Sequence, residues 1–77
     1  MKTCSVLLRS VADVKDFVTV ASKYAFDVDL ISGRYVVDAK SIMGIFSLDL
    51  LNPMTLHIHA EDATAHTFME DIKKYIQ

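Results

Sequence analysis

Cysteine, glycine and proline are all scarce in this 77-residue chain, which has one, two and one of them respectively. Cys4 stands alone, so no internal disulfide can form and no cysteine-built zinc site is available, a usage that suits a reducing compartment. With so little glycine and proline there is no linker and no low-complexity tract. Charge is nearly balanced at a formal −2, which supplies no broad cationic field and argues against nucleic acid or an anionic membrane as the main ligand. No window reaches the roughly 18 apolar residues that a membrane span requires. The apolar run in MKTCSVLLRS stops at Arg9, too early for the h-region of a signal peptide. The expectation is a cytoplasmic chain that works with protein partners.

What is present is apolar sequence, 52% of the residues, enough for an ordered core. At this length there is room for only one core, because two would each bury too little surface, so residues 1–77 are read as a single domain.

The hydrophobic pattern changes period several times along the chain. Lys2 to Leu8, with Cys4, Val6, Leu7 and Leu8, reads as a first strand. From Ser10, the spacing of Val11, Val14, Phe17, Val18 and Ala21 is that of an amphipathic helix, and Ser10 with Asp13 resembles a capping box. Phe26, Val28 and Leu30 alternate with Asp27, Asp29 and Ile31. Ser32-Gly33 then reads as a two-residue turn, and Tyr35 to Asp38 as the returning strand of a hairpin. Ser41 precedes IMGIFSLDLL, a short helix expected to end near Asn52-Pro53, where proline forbids continuation. Thr55 to Ala60 is a strand with Leu56, Ile58 and Ala60 on one face and His57 and His59 on the other. A last helix, from about Asp62 or Thr64, places Ala65, Phe68, Met69, Ile72, Tyr75 and Ile76 on one side, with Lys73 and Lys74 complementing the dipole at its end. The order βαββαβα, with one apolar face per element, predicts an α+β fold: a sheet covered by helices on one side and open to water on the other.

At this point specific residues resemble a known family. AKSIMGIFSLDL, from Ala39 to Leu50, is similar to the segment of HPr phosphocarrier proteins, of the bacterial sugar phosphotransferase system, that carries a regulatory serine and a short helix. The resemblance runs from ASKY at Ala21–Tyr24 through FDVDL, the hairpin and LHIHAED to the final helix. It implies an open-faced sandwich, with four antiparallel strands in the order 1-4-2-3 and three helices on one face, in agreement with the element order read from the residues alone. The family's phosphorylated loop has the form GxHxRPA, whereas this chain reads LRSVADV. Counting back from ASKY puts Ser10 at the position of the phosphohistidine, Ala12 at the arginine and Asp13 at the proline, and no histidine precedes His57. Catabolite-repression HPr-like proteins share the loss of the histidine and the retention of the serine. Asp49 and Pro53 stand where glycines are common in the family.

A phosphocarrier needs an imidazole because phosphohistidine is a labile phosphoramidate, while a serine phosphate is a stable ester. Ser10 is therefore read as a helix cap rather than a relay. Ser41 has two readings, a helix cap or a phosphorylation site where helix amides and neighbouring Lys40 meet the phosphate. The resemblance implies that a dedicated HPr kinase modifies this serine, and that the modified form binds a catabolite-control regulator. Ile42, Met43 and Phe46 either dock partners, as the resemblance implies, or pack inward. His57 and His59 share a strand face, but two ligands do not make a metal site, and they are read, with His66, as surface residues. Cys4 is read as a small buried hydrophobe. The expectation is a regulatory or protein-binding member of the family, not an enzyme and without a cofactor, that acts through Ser41, Lys40 and the following helix. The alternatives are a phosphocarrier that uses another histidine, served by the phosphotransferase enzymes, and a purely structural or oligomerising domain.

Overall fold

A computed structural model describes residues 2–77. Along the chain come β1 (Lys2–Val6), α1 (Val11–Ala21), β2 (Val28–Ser32), β3 (Tyr35–Asp38), α2 (Ile42–Phe46), β4 (Met54–Ile58) and α3 (Asp62–Asp71), followed by a 3-10 turn at Lys73–Tyr75. The strands form one antiparallel sheet in the order β1-β4-β2-β3. The layering is the one that the hydrophobic pattern predicts, and the antiparallel order is the one that the family resemblance implies.

Strand alternation sorts the sheet into two faces. Val6, Met54, Leu56, Ile58, Val28 and Leu30 are buried, against Val14 and Phe17 of α1, Ile45 of α2 and Ala65 and Phe68 of α3. The register lines up the other residues in cross-strand rows: Thr3, His57, Asp29 and Asp38 in one, and Ser5, Thr55, Ile31 and Val36 in the next. That second face is the open one. No helix is long and apolar enough among the described residues to cross a membrane.

Ser10 caps α1 as predicted, its Oγ accepting from the Asp13 amide at 3.1 Å. The reciprocal half of the box is displaced by one residue: Asp13 Oδ2 accepts from the Arg9 amide at 3.0 Å. Val11, expected on the buried stripe, is 57% exposed, because the first helical residue precedes the turn that faces the sheet.

Several boundaries differ from the sequence reading, beginning with β1, which ends at Val6 rather than Leu8. The hairpin loop is Gly33-Arg34, not Ser32-Gly33, since Ser32 pairs with Tyr35. Gly33 has φ +59° and no other described residue has a positive φ, which is how a two-residue loop with glycine first follows the strand twist. α2 stops at Phe46 rather than near Pro53, because local polar bonds replace the helical ones. Ser47 Oγ donates to the Gly44 carbonyl at 2.6 Å, and the Asp49 carboxylate accepts from the Leu51 amide at 2.9 Å and from Asn52 Nδ2 at 3.0 Å. β4 ends at Ile58, two residues before Ala60.

The last difference is at the end of α3. The helix breaks at Ile72, whose amide is shared between the Phe68 and Met69 carbonyls, and the 3-10 turn carries Tyr75 back onto α1. The Tyr75 ring meets Phe17 edge-on at 6.1 Å, and its hydroxyl donates to Asp16 Oδ2 at 2.5 Å. Lys74, expected to serve a helix dipole, instead approaches the same carboxylate oxygen at 3.3 Å. Leu7 N donates to Tyr75 O and Gln77 N to Ser5 O, both at 2.8 Å, and Ile76 bridges Val6, so the C-terminal residues lie along the outer edge of β1.

This tie has a pH signature. The Tyr75 hydroxyl first, and Lys74 second, hold the Asp16 carboxyl below its ordinary range. A carboxyl with a lowered folded-state pKa contributes stability above its unfolded value, near 3.9, and loses it as pH falls through the folded value. Urea midpoints measured from pH 6 to pH 2 are expected to fall more steeply for the native chain than for Asp16→Asn, which starts lower and lacks this acid loss. Parallel curves would remove the Asp16 tie as a contributor.

Candidate functional site

Ser41 sits where the sheet hands over to α2. Its amide donates to the Asp38 carbonyl at 2.9 Å, its carbonyl accepts the first intrahelical bond from Ile45 at 3.1 Å, and its Oγ accepts from the Gly44 amide at 3.1 Å. The amides of Ile42, Met43 and Gly44 precede that first bond; the serine hydroxyl satisfies Gly44, which leaves Ile42 and Met43 as the donors without an intrahelical partner. Gly44 has a role that the sequence reading missed. A Cβ there would stand 3.2 Å from Ser41 Oγ and 3.2 Å from Val37 Cβ, so glycine lets α2 lie against β3 with the serine hydroxyl still in place.

The residues after Ser41 divide by face. Ile45 is fully buried and Leu48 nearly so, and half-buried Ile42 packs against the core. Met43 is 75% exposed and Phe46 38%, and on the following loop Leu51, another residue that sequence reasoning passed over, is 90% exposed. Of the predicted trio, Met43 and Phe46 stand outward and Ile42 does not. Helical periodicity over a five-residue helix is too short to make that distinction.

Lys40 is not a free cation beside the serine. Its Nζ donates to the carbonyls of Tyr24 and Phe26, both at 2.7 Å, and its amide donates to Asp38 Oδ1 at 2.8 Å. The ammonium holds the α1–β2 connection onto the start of α2. Tyr24 and Phe26 in turn pack on Phe68, with centroids at 5.1 and 5.7 Å.

Ser10 lies exposed at the start of α1, and α1 packs against α2. Neither serine hydroxyl contacts a base: the bond each Oγ makes is with a backbone amide as donor. A hydroxyl in that setting is not activated as a nucleophile, so a phosphate on either must come from another enzyme's chemistry.

The histidines lie elsewhere. His57 is half-buried on the open sheet face, opposite Asp29. His59, past the end of β4, puts Nε2 2.8 Å from Asp29 Oδ2, and exposed His66 is 3.7 Å from Glu70. No three His, Cys, Asp or Glu side chains converge as metal ligands among the described residues. Cys4 is half-buried rather than buried, and that burial pushes its thiol pKa up, away from the reactive thiolate.

Comparison with known proteins places this geometry. The family model described as the PTS HPr component phosphorylation site matches residues 13–77, beginning three residues after Ser10. Among solved structures, the HPr-C-His protein of Thermoanaerobacter tengcongensis is similar at TM-score 0.78 and 27% identity, over 96% of this chain and 92% of that one. A phosphocarrier protein HPr from Bacillus anthracis is similar at TM-score 0.71 and 29% identity, over 99% and 94%. The catabolite repression containing protein Crh of Bacillus subtilis, solved as a domain-swapped dimer, is similar at TM-score 0.66 and 25% identity, over 94% and 87%. No curated protein sequence matches the chain.

Proposed function

We propose, for a chain that belongs to the HPr family of the sugar phosphotransferase system, a regulatory protein-binding role in place of phosphoryl relay. Members of this family are phosphocarriers and partners of phosphotransferase proteins, not enzymes. The observation that carries the reading is the pairing of Ser41, an N-cap whose hydroxyl holds the Gly44 amide at the start of the helix, with Met43 and Phe46 exposed beyond it. A phosphate on Ser41 meets the amides of that first turn without unfolding the helix, and the adjoining apolar side chains offer adaptable docking area. The absence of an imidazole at position 10 supports the loss of relay. So does the position of His57, on the sheet face opposite the helices. Lys40 supports the site by holding its frame, not by pairing with the phosphate. Residues 1–77 are taken as one domain that acts in the cytoplasm.

The test uses two donors. With ATP and an HPr kinase, the chain is expected to gain one acid-stable phosphate that Ser41→Ala abolishes. The phosphorylated form is expected to bind a catabolite-control regulator at least tenfold more weakly when Met43 and Phe46 are both alanine, about 1.4 kcal/mol. With phosphoenolpyruvate and the first phosphotransferase enzyme, no acid-labile phosphate is expected. Its appearance on His57, His59 or His66 overturns the reading.

A further inference from the structure

The two edges of the sheet are treated differently. β1 is covered by the C-terminal residues, through the Gln77–Ser5 and Leu7–Tyr75 bonds and the Val6–Ile76 bridge. β3 is the other edge, and no strand lies beyond it among the described residues. An open edge is ordinarily blunted by lysine, proline or a bulge. β3, which reads YVVD, has none of these; only its four-residue length and the charge of Asp38 guard it, and Tyr35 and Val36 are 70% and 61% exposed.

The phase of the backbone shows which groups are free. Ala39 N donates to Val28 O at 2.8 Å, so residue 39, and by alternation 37 and 35, direct their amides and carbonyls at β2. Those of Val36 and Asp38 therefore face outward, in line with Arg34. Asp38 O already accepts from Ser41 N, but its amide faces outward.

Charge then selects a partner. Arg34 and Asp38 are exposed at opposite ends of this edge, and among the described residues neither forms an ion pair. Four residues of extended chain hold them roughly 13 Å apart, so they cannot pair with each other within one molecule. Asp38 also sits directly across from Asp29, a like-charge pair that a cation would relieve.

We infer that β3 pairs antiparallel with β3 of a second copy about a two-fold axis at Val36, joining two sheets into one. In this register Val36 faces its symmetry mate, Arg34 faces the other copy's Asp38 twice over, and Tyr35 covers the other copy's Val37 on the helix-side face. A slip by one residue sets outward-facing amides against inward-facing ones and makes no ladder. A slip by two puts Arg34 opposite Lys40 or opposite Val36, and both ion pairs are lost. The surface is thus self-complementary, as a two-fold interface requires. It uses neither the Ser41 hydroxyl nor the exposed residues of α2, although Asp38 also holds the Lys40 and Ser41 amides through Oδ1 and its carbonyl. So short an edge buries less than a permanent interface does, so the dimer is a weak one, dependent on concentration and on salt.

Sedimentation and amide NMR of the chain from micromolar to millimolar concentration test this. The expected result is a rising dimer fraction, with shifts at Arg34, Val36 and Asp38. Arg34→Glu is expected to weaken the dimer at least tenfold, Asp38→Arg likewise, and the two together to restore it. Val36→Lys should leave a folded monomer. A chain that stays monomeric at millimolar concentration overturns the inference. So does a dimer that Arg34→Glu and Val36→Lys leave intact, whether it forms through Met43 and Phe46 or by exchange of β1.

Discussion

Phe68→Ala is expected to lower the unfolding free energy by about 3–5 kcal/mol, the cost of truncating a buried phenylalanine. A small domain has roughly 5–15 kcal/mol in total, so a large part of the stability rests on this ring. Phe68 is fully buried, and both Tyr24 and Phe26 pack edge-on against it. Tyr24 is further held by its hydroxyl, which donates to Asp71, and by its carbonyl, which accepts from Lys40. Removing the ring leaves a cavity under the connection that Lys40 clamps, so the N-terminus of α2 loosens along with the core. Urea unfolding reads the effect as a lower midpoint at unchanged slope. A loss below about 1 kcal/mol would mean that the site collapses around the gap and that the aromatic cluster is not what holds α2 in place.

The second large effect is a gain. Ser10→His combined with Ala12→Arg is expected to confer uptake of acid-labile phosphate from phosphoenolpyruvate, through the first phosphotransferase enzyme, where none is expected of the native chain. The imidazole supplies a nucleophile whose phosphoramidate is labile, and the guanidinium supplies the cation that the transferring phosphoryl group needs. The exchange removes the cap that accepts from the Asp13 amide, at a cost of about 1 kcal/mol. Asp13 stays as a nearby negative charge, so Asp13→Pro, which gives up its bond to Arg9, is expected to raise the yield further. A folded triple variant that remains unphosphorylated would show that the surface recognised by the upstream enzyme has also gone, and that residue 10 alone does not explain the lost relay.

The candidate site was legible to different depths. Ser41 as a cap, and the burial of Ile45 and Leu48, follow from hydroxyl-then-apolar patterning, which is local information. Lys40 was misjudged because its ammonium is claimed by carbonyls 14 and 16 residues back, in a connection that only the fold brings near. Gly44 was overlooked for the same reason, since the atom it spares, Val37 Cβ, belongs to the preceding strand. Leu51 followed from an error of length. A reading that carries the helix to Asn52 places this leucine within a helix, whereas the Asp49 side chain ends any helical continuation and leaves it outside.

The amino-acid order alone determined the succession of elements, the inward and outward faces of β2 and β4, the helix cap at Ser10, and the absence of an imidazole before His57. Each of these depends on neighbours a few residues apart, through steric periodicity or a short hydrogen bond. Only the tertiary structure decided that α3 breaks to return Tyr75 to Asp16, that Lys40 is a clamp, and that Arg34 and Asp38 mark an uncovered edge. Those outcomes depend on contacts between segments distant in the chain, where packing and the competition for a few polar partners outweigh local preference.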